Sequence, residues 1–330
     1  MKASKAAQLE AAAQLRLRTP ARSISQVVPL VFVAAVITVC VVIYIVCHLA
    51  PLLAVNRAAA QWQLHTFAPL CALLVICYIR AVTTSPGEVP DAEEWAVGAA
   101  AETGVVVQAL EKKRTGERRA CKWCGKYKPD RCHHCRVCRS CVLRMDHHCP
   151  WINNCVGFGN YKFFYLLLVY SAACCWVMCI SMLSSVQKAV EVDTPFTGLF
   201  MLLFGETLAI FLGVVVSFFW AFHTWLLCSG MTTVEYCEKA RKRPAGSAVP
   251  VGFDNGIYAN LCGGLGPEPL LWLVPIGSLD GEGLVFQREK ASLLDSNKLS
   301  SQSRRESRRG SGSQDSTAAS DLVLGMNGSD

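Results

Sequence analysis

Four long apolar segments constrain this chain more than any other feature of its sequence. They run roughly from Val27 to Val55, from about Phe67 (alternatively Trp62) to Val82, from Phe163 to about Val186 and from Gly198 to about Cys228. A helix of about 20 apolar residues crosses the hydrocarbon core of a bilayer. We therefore predict four transmembrane helices; the second segment is the shortest, and a buried core helix is its alternative.

Composition supports the same class of protein. Hydrophobic residues make up 52% of the 330 residues and charged residues only 17%, whereas an average globular chain has about 25% charged residues. Such a chain lacks the polar side chains to cover a soluble protein, and it is too apolar to be disordered throughout. The first apolar segment begins late and is too long for a signal peptide, so we expect it to be retained.

The distribution of lysine and arginine predicts the orientation of these helices. Basic residues are concentrated in the N-terminal arm, between Lys112 and Lys162, and in the C-terminal region, whereas the two short loops on the other side carry only Arg57 and Lys188. Because loops rich in lysine and arginine stay on the cytosolic side, both termini and the middle stretch are predicted to be cytosolic. The net charge of +7 is therefore explained mostly by basic residues that flank the membrane segments and set their orientation. For that reason we expect no nucleic-acid partner.

The middle stretch contains a repeat of cysteine and histidine with a period of 14 residues. In each copy a Cys-x-x-Cys pair is followed by nine residues, a histidine, six residues and a further cysteine. The two copies supply two sets of four side chains: Cys121, Cys124, His134 and Cys141; and Cys135, Cys138, His148 and Cys155.

These two sets have the composition of structural zinc sites. Tetrahedral zinc prefers four cysteine and histidine ligands, and thiolates and imidazoles select zinc over magnesium or calcium. The reducing cytosol disfavours disulfides as the alternative use of these cysteines. We predict two structural zinc ions. The alternative is a single zinc site that takes a different combination of these cysteines and histidines as ligands.

The repeat also identifies a cysteine without a partner in either set. His147-His148-Cys149 repeats the triplet at His133-His134-Cys135, but position 152 is Ile, so Cys149 opens no third Cys-x-x-Cys pair. A thiol beside the unused His147, with Asp146 to orient the imidazole, is the arrangement of an activated nucleophile. A spare ligand or an inert buried thiol is the alternative; Cys132 and His133 are also spare but lack a preceding Asp-His pair.

Asp146 to Cys149, followed by Pro150-Trp151 and Asn153 to Gly157, resembles the DHHC protein S-acyltransferases, or palmitoyltransferases. Thr232 to Glu235 is similar to the TTxE motif of that family, and the stretch from Phe253 to Asn260 is similar to its C-terminal motif, although the later Phe is missing. Ser85-Pro86-Gly87 resembles the family's DPG motif with Ser in place of Asp.

The resemblance implies a four-helix membrane enzyme with a cytosolic cysteine-rich domain that holds two zinc ions. It implies that Cys149 attacks the thioester of a fatty acyl-CoA, most simply palmitoyl-CoA, and passes the acyl group to cysteines of membrane-associated proteins. His147 would be the general base, with an ordinary pKa of about 6.5, and Asp146 would orient it. Trp151, Thr233 and Asn260 would support the site.

The organisation expected along the chain has six regions. These are an N-terminal arm (1–26), transmembrane helices 1 and 2 (27–82), the cysteine-rich catalytic domain (83–162), transmembrane helices 3 and 4 (163–228), a C-terminal region (229–295) and a disordered tail rich in serine and arginine (296–330). The expected location is the Golgi or ER membrane or the plasma membrane.

Three further features of the sequence carry open alternatives. The small residues from Ser171 to Cys175 leave room for an acyl chain or pack closely against another helix. The apolar stretch from Pro267 to Ile276 lies at the membrane surface or forms a packed strand. Basic residues of the cysteine-rich stretch are candidates for binding CoA phosphates: Lys128, Arg131, Arg136 and Arg139.

Two other function classes compete with the enzyme. The first is a membrane-anchored zinc scaffold without catalysis, against which the spare Asp-His-Cys group argues. The second is a transporter or channel, against which the scarcity of charged residues in the apolar segments argues, since ion pathways usually need them.

Overall fold

A computed structural model describes residues 24–97, 111–113, 115–240, 252–277, 279 and 281–286. The predicted disordered tail and nearly all of the N-terminal arm lie outside these residues. The six-region division of the chain therefore stays a prediction.

Four helices that are long and apolar enough to cross a membrane dominate the described chain, as predicted. The first span, Gln26–Val55, joins α1 (Ile24–Ile43), a π-helical segment (Tyr44–Leu49) and α2 (Ala50–Val55). The other three spans are α3 (Arg57–Thr83), α4 (Tyr161–Glu191) and α5 (Phe196–Cys228).

The second span begins at Arg57, ten residues before the expected start at Phe67 and five before the alternative start at Trp62. Its first turns are polar, and the side chain of Asn56 caps the helix by accepting a hydrogen bond from the backbone N–H of Ala59 at 3.1 Å. A capping asparagine satisfies one of the N–H groups that a helix start leaves unpaired. Hydropathy alone does not detect this polar start, because it marks only the apolar part of the helix.

Hydrogen bonds between buried polar side chains join the first three spans. Tyr44 Oη lies 2.9 Å from Ser181 Oγ, and the ring nitrogens of His48 lie 2.8 Å from Ser185 Oγ and 2.7 Å from Gln63 Oε1. Polar side chains in a membrane bundle pair across helices because lipid offers them no partner.

The small residues from Ser171 to Cys175 lie in helix packing. Ala172 and Cys174 are buried, and a Cβ added at Gly213 of α5 would lie 3.4 Å from the Cβ of Cys175. This geometry favours the second of the two interpretations of the small residues, which is close contact between helices.

The cysteine-rich stretch folds into three antiparallel hairpins. They are β1 (Ala120–Cys121) with β2 (Lys126–Tyr127), β3 (His133–Cys135) with β4 (Ser140–Val142), and β5 (His147–Cys149) with β6 (Asn154–Val156).

The hairpins are three copies of one unit at the 14-residue period. Cys121 pairs with Lys126, Cys135 with Ser140 and Cys149 with Asn154, each in the same register. Their turns contain Gly125, Arg139 and Asn153, all with positive φ, at 65°, 57° and 44°. The sequence revealed two metal-binding copies and a leftover triplet; the structure shows that the triplet belongs to a complete third copy.

After α5 the described chain contains two short helices and an apolar turn. Helix α6 is Thr233–Ala240, α7 is Ile257–Leu265, and a 3₁₀ turn, Pro269–Leu271, follows. The expected alternative of a packed strand is wrong here. The turn rests on α4, where Lys162 Nζ donates to the carbonyls of Leu271 and Ile276 at 2.8 Å each, and it leaves Leu270 92% exposed.

Candidate active site

Each predicted metal set joins two neighbouring hairpins. The first set takes its cysteine pair from hairpin β1–β2 and His134 and Cys141 from β3–β4, where these two residues are cross-strand partners. The second set repeats this one hairpin later, with His148 opposite Cys155. The register of the hairpins therefore brings together ligands that lie 7 to 20 residues apart in the chain.

The donor atoms in both sets fit a tetrahedral ion. All donor atoms of a set lie within 4.8 Å of one another; Cys124 Sγ lies 3.3 Å from His134 Nδ1, and Cys138 Sγ lies 3.4 Å from Cys155 Sγ. Zinc–sulfur bonds of about 2.3 Å in tetrahedral geometry place two sulfurs about 3.8 Å apart. Both Cys/His clusters could therefore bind a metal ion, and their thiolate-rich composition suits zinc.

Alternation along strand β5 separates the metal ligand from the other two side chains. Successive side chains of a strand point to opposite faces, so His148 turns toward the second metal set while His147 and Cys149 share the other face. Cys149 is 6% exposed, in an apolar cluster with Ala81 of α3 and Phe163 and Phe164 of α4. The thiol therefore lies where the hairpins meet the membrane helices.

Asp146, His147 and Cys149 form a connected group. His147 Nδ1 lies 2.7 Å from Asp146 Oδ2, and its ring packs edge-on against Phe164 at 5.1 Å between centroids. The Asp146 carboxylate is fully buried. A buried carboxylate hydrogen-bonded to one ring nitrogen fixes the orientation and tautomer of the imidazole.

The charges of this group stabilise one another. Burial acts to raise the pKa of Asp146, but the hydrogen bond and charge of His147 outweigh it and hold that pKa below its ordinary value. Burial acts to lower the pKa of His147, whereas interactions with Asp146 and Cys149 raise it to about 9. The pKa of His147 thus lies above the ordinary value expected from the sequence, because its interactions with Asp146 and Cys149 outweigh the burial of its ring.

Thr233 contacts the carboxylate directly. Its Oγ1 donates to Asp146 Oδ2 at 2.7 Å and its backbone N–H donates to Asp146 Oδ1 at 3.1 Å. Hydrogen bonds to the charged form of a carboxylate favour that form. The residue expected only to support the fold thus contacts both carboxylate oxygens of Asp146.

Glu235 of the same motif anchors helix α6 to the cysteine-rich stretch. Its two carboxylate oxygens accept from Arg131 Nε at 2.7 Å and from an Arg131 terminal nitrogen at 2.8 Å. Burial acts to raise the pKa of Glu235, but the charge of Arg131 keeps it below its ordinary value. Arg131, one of the four basic candidates for binding CoA phosphates, is only 4% exposed and is bound to Glu235. Two of the other candidates, Arg136 and Arg139, are exposed.

Two asparagines dock the third hairpin on the end of helix α3. Asn154 Nδ2 donates to the carbonyls of Ala81 and Thr84 at 3.2 and 2.9 Å, and Asn160 Nδ2 donates to the Thr84 carbonyl at 3.5 Å. The last carbonyls of a helix have no partner within it. These contacts, which the sequence did not predict, hold Cys149 at the end of a membrane span.

The segment from Ser85 to Gly87 continues this contact. Gly159 N donates to the Pro86 carbonyl at 3.0 Å, and a Cβ added at Gly157 would lie 2.7 Å from that oxygen. The chain leaving α3 therefore packs backbone to backbone on the third hairpin, and Ser85 Oγ accepts from Gly87 N at 3.3 Å.

Trp151 and Asn260 occupy supporting positions of different kinds. Trp151 is 55% exposed beside Phe32 of α1, with ring centroids 6.0 Å apart. Asn260 is buried and donates to the carbonyl of Cys228, the last residue of α5, at 2.8 Å, and to Asp254 Oδ1. Asn260 thereby ties α7 to the end of the fourth span.

His223 of α5 is a neighbour of the site that the sequence did not assign to it. Its Nδ1 lies 4.0 Å from Asp146 Oδ2, and its ring centroid lies 5.8 Å from that of His147. The only signal in the sequence was a histidine in a mostly apolar segment, which does not identify the residue it faces.

Comparison with known proteins agrees with the resemblance drawn from the motifs. Residues 114–240 match a family model described as DHHC palmitoyltransferase. The chain is 39% identical over 183 residues to palmitoyltransferase ZDHHC15A of Danio rerio, and the aligned region covers 52% of each chain. It is also 39% identical over 180 residues to human palmitoyltransferase ZDHHC15, covering 52% of this chain and 51% of that protein.

The similarity to palmitoyltransferase ZDHHC2 of Danio rerio is of the same order. The two chains are 41% identical over 175 residues, which is 52% of this chain and 47% of the relative. Residues 114–240 thus match the DHHC palmitoyltransferase family model, and the chain spans about half the length of the curated relatives it matches.

Proposed function

We propose that the protein is a membrane-embedded S-acyltransferase that forms an acyl-enzyme on Cys149. The observation that carries this proposal is the third hairpin, whose first cysteine serves neither metal set and lies beside an ordered Asp-His pair. The names of the relatives, which are palmitoyltransferases, support the choice of a long-chain acyl group.

In the first step, His147 holds the proton of Cys149, and the Cys149 thiolate attacks the thioester carbonyl of acyl-CoA. A new carbon–sulfur bond forms, the bond to CoA breaks, and the leaving thiolate takes the proton from His147. The raised pKa of His147, about 9, suits an imidazole that holds the proton while the thiolate reacts.

In the second step, a cysteine thiol of a protein substrate replaces CoA. Its proton passes to His147, its sulfur attacks the acyl-enzyme, and Cys149 leaves as the thiolate and recovers the proton. Asp146, held by Thr233 and His147, stabilises the imidazolium in both steps.

Zinc in the two Cys/His sets would hold the three hairpins in register. All four ligands of each set are protein side chains, so a bound ion has no open position and its role is structural. In this proposal the residues of the chain carry every proton transfer.

The membrane accounts for the location of the site. A 16-carbon chain gains about 0.8 kcal/mol for each CH₂ removed from water, and Cys149 lies in the apolar cluster formed with α3 and α4. We propose that the acyl chain enters the bilayer beside these helices while CoA stays in water. The distribution of lysine and arginine supports a cytosolic site; the substrates are then cysteines of membrane-associated proteins.

The proposal is tested by covalent labelling of the purified protein with a fluorescent or radioactive palmitoyl-CoA. We expect a label that neutral hydroxylamine removes and that Cys149→Ser abolishes. Cys237→Ser is the matched control, because Cys237 is exposed on α6 and lies outside the site, so this variant should label like the parent.

Two results decide against the enzyme. Equal labelling of Cys149→Ser and the parent would show that another residue is the nucleophile. A parent that binds about two zinc ions but takes no label would favour the membrane-anchored zinc scaffold instead.

A further inference from the structure

His223 is a buried imidazole, and its Nδ1, the ring nitrogen nearest Asp146, makes no hydrogen bond to the described residues. The residue is 1% exposed, and its Nδ1 has no hydrogen-bond partner within the described part of the chain. A buried polar group left unpaired costs about 1–3 kcal/mol. Such a group in a membrane helix calls for a functional explanation.

The nearest charged group to that nitrogen is the catalytic carboxylate. His223 Nδ1 lies 4.0 Å from Asp146 Oδ2, slightly beyond hydrogen-bond distance. A carboxylate has about four acceptor positions, and three donors already occupy Asp146: His147 Nδ1, Thr233 Oγ1 and Thr233 N. Two of these donors, His147 Nδ1 and Thr233 Oγ1, already use Oδ2, so His223 Nδ1 lies against that oxygen as a third and more distant polar neighbour.

The ring of His223 is held in place by aromatic neighbours. Phe219, Phe222 and Phe164 pack against it edge-to-face, with centroids 4.6, 5.6 and 5.0 Å away and interplanar angles of 86°, 78° and 77°. Edge-to-face packing fixes the plane of a ring. Phe164 also contacts His147, so one aromatic group positions both imidazoles.

We propose that His223 is a positioning residue for the Asp146–His147 pair. Its Nδ1–H faces the buried carboxylate and keeps that carboxylate aligned with His147 Nδ1, while its ring limits the rotation of the His147 ring. The inference deepens the proposed function, on which its catalytic meaning rests.

This role makes helix α5 part of the catalytic apparatus. His223 lies about one and a half turns before the end of α5, and Thr233, which follows the helix, holds the same carboxylate. Two of the three residues that fix Asp146 therefore come from one membrane span and the turn after it. A displacement of α5 would misalign Asp146 without touching Cys149.

The test compares His223→Phe with His223→Asn in the full-length protein. Phenylalanine keeps the aromatic packing and removes the nitrogen, whereas the side-chain amide of asparagine returns a donor close to the position of Nδ1. The first measurement is the rate at which iodoacetamide alkylates Cys149, followed by peptide-resolved mass spectrometry. The second is the rate of acyl-enzyme formation against palmitoyl-CoA concentration.

We expect His223→Phe to lower both maximal rates by about tenfold, because small misplacements of a catalytic group have effects of this size or larger. The half-saturating palmitoyl-CoA concentration should change by less than about twofold, since the residue does not bind substrate. His223→Asn should recover most of the loss. His65→Phe, which changes an exposed histidine of α3, is the control and should react like the parent.

Two outcomes overturn the inference. The first is alkylation and acylation of His223→Phe at the parental rates. The second is an equal loss of activity in His223→Phe and His223→Asn together with a loss of bound zinc, which would show a packing role alone. Alkylation requires no acyl-CoA. A parent that alkylates rapidly at Cys149 but never acylates would refute the proposed function while leaving the positioning role measurable.

Discussion

At the scale of single residues, the site depends on how a buried negative charge is held. Asp146 is fully buried, and each donor that surrounds it offsets part of the cost of removing the charge from water. Within the described part of the chain, Thr233 alone donates hydrogen bonds to both carboxylate oxygens. Its hydroxyl is therefore a sensitive point for catalysis.

Replacing Thr233 with valine tests this dependence. Thr233→Val keeps the shape of the side chain but leaves Asp146 Oδ2 without one donor, and a hydrogen bond to a charged group contributes about 1.5–3 kcal/mol. We expect single-turnover acylation of Cys149 to slow by about tenfold or more, with zinc content unchanged. Thr233→Ser retains the hydroxyl and should stay near the parental rate; a Thr233→Val variant that acylates normally would contradict the assignment.

The residues of the site divide into those that a motif predicts and those that only folding brings near. Cys149 followed from the broken repeat, because the missing partner at position 152 is visible in the sequence. Asn154 and His223 act on residues about 70 positions away along the chain, and no local pattern indicates such contacts. The raised pKa of His147 comes from its neighbours Asp146 and Cys149, but its size depends on how the fold places their side chains against the imidazole.

At the scale of elements, the hairpin repeat explains how the two Cys/His sets and the proposed nucleophile share one small domain. Each Cys-x-x-Cys pair is completed by the histidine and cysteine of the next hairpin. The third hairpin has no successor, and helix α4 follows it instead. The first cysteine of that hairpin is consequently left without a metal and packed against membrane helices.

This arrangement predicts which cysteines determine metal content. Cys124→Ala removes a ligand of the first set, and we expect the purified protein to retain about one zinc ion in place of two. Cys132→Ala is the matched control, because Cys132 is fully buried beside the same set but belongs to neither frame. Metal analysis by mass spectrometry decides the point: equal zinc loss in both variants would mean that the partition of ligands is different.

The boundaries of elements were less predictable than their number. Hydropathy indicated four spans, but the second starts at Arg57, where a cap and a polar first turn begin a helix that hydropathy does not register. The apolar stretch after α7 has the composition of a strand or a surface segment. Its bent conformation depends on Lys162, a residue of α4 that is remote in sequence.

At the scale of the whole molecule, the site lies at one end of the helix bundle. Asn154 and Asn160 attach the third hairpin to the end of α3, Asn260 attaches α7 to the end of α5, and Lys162 attaches the apolar turn to the start of α4. The cysteine-rich domain and the C-terminal region therefore meet the bundle at the same end. The short connection around Asp193 lies at the other.

The orientation of this bundle is the last prediction, and it follows from the positive charge at the site end. Loops rich in lysine and arginine remain cytosolic, so Cys237 of α6 should face the cytosol and the connection between α4 and α5 the opposite side. In sealed microsomes, a membrane-impermeant maleimide should label Cys237 from outside, whereas a cysteine introduced by Asp193→Cys, at an exposed position, should react only after permeabilisation. The Cys237→Ser variant should lose the label added from outside, which assigns that label to Cys237. The reverse pattern would place Cys149 away from cytosolic acyl-CoA and would be incompatible with the proposed reaction, because CoA thioesters are charged and do not cross a bilayer.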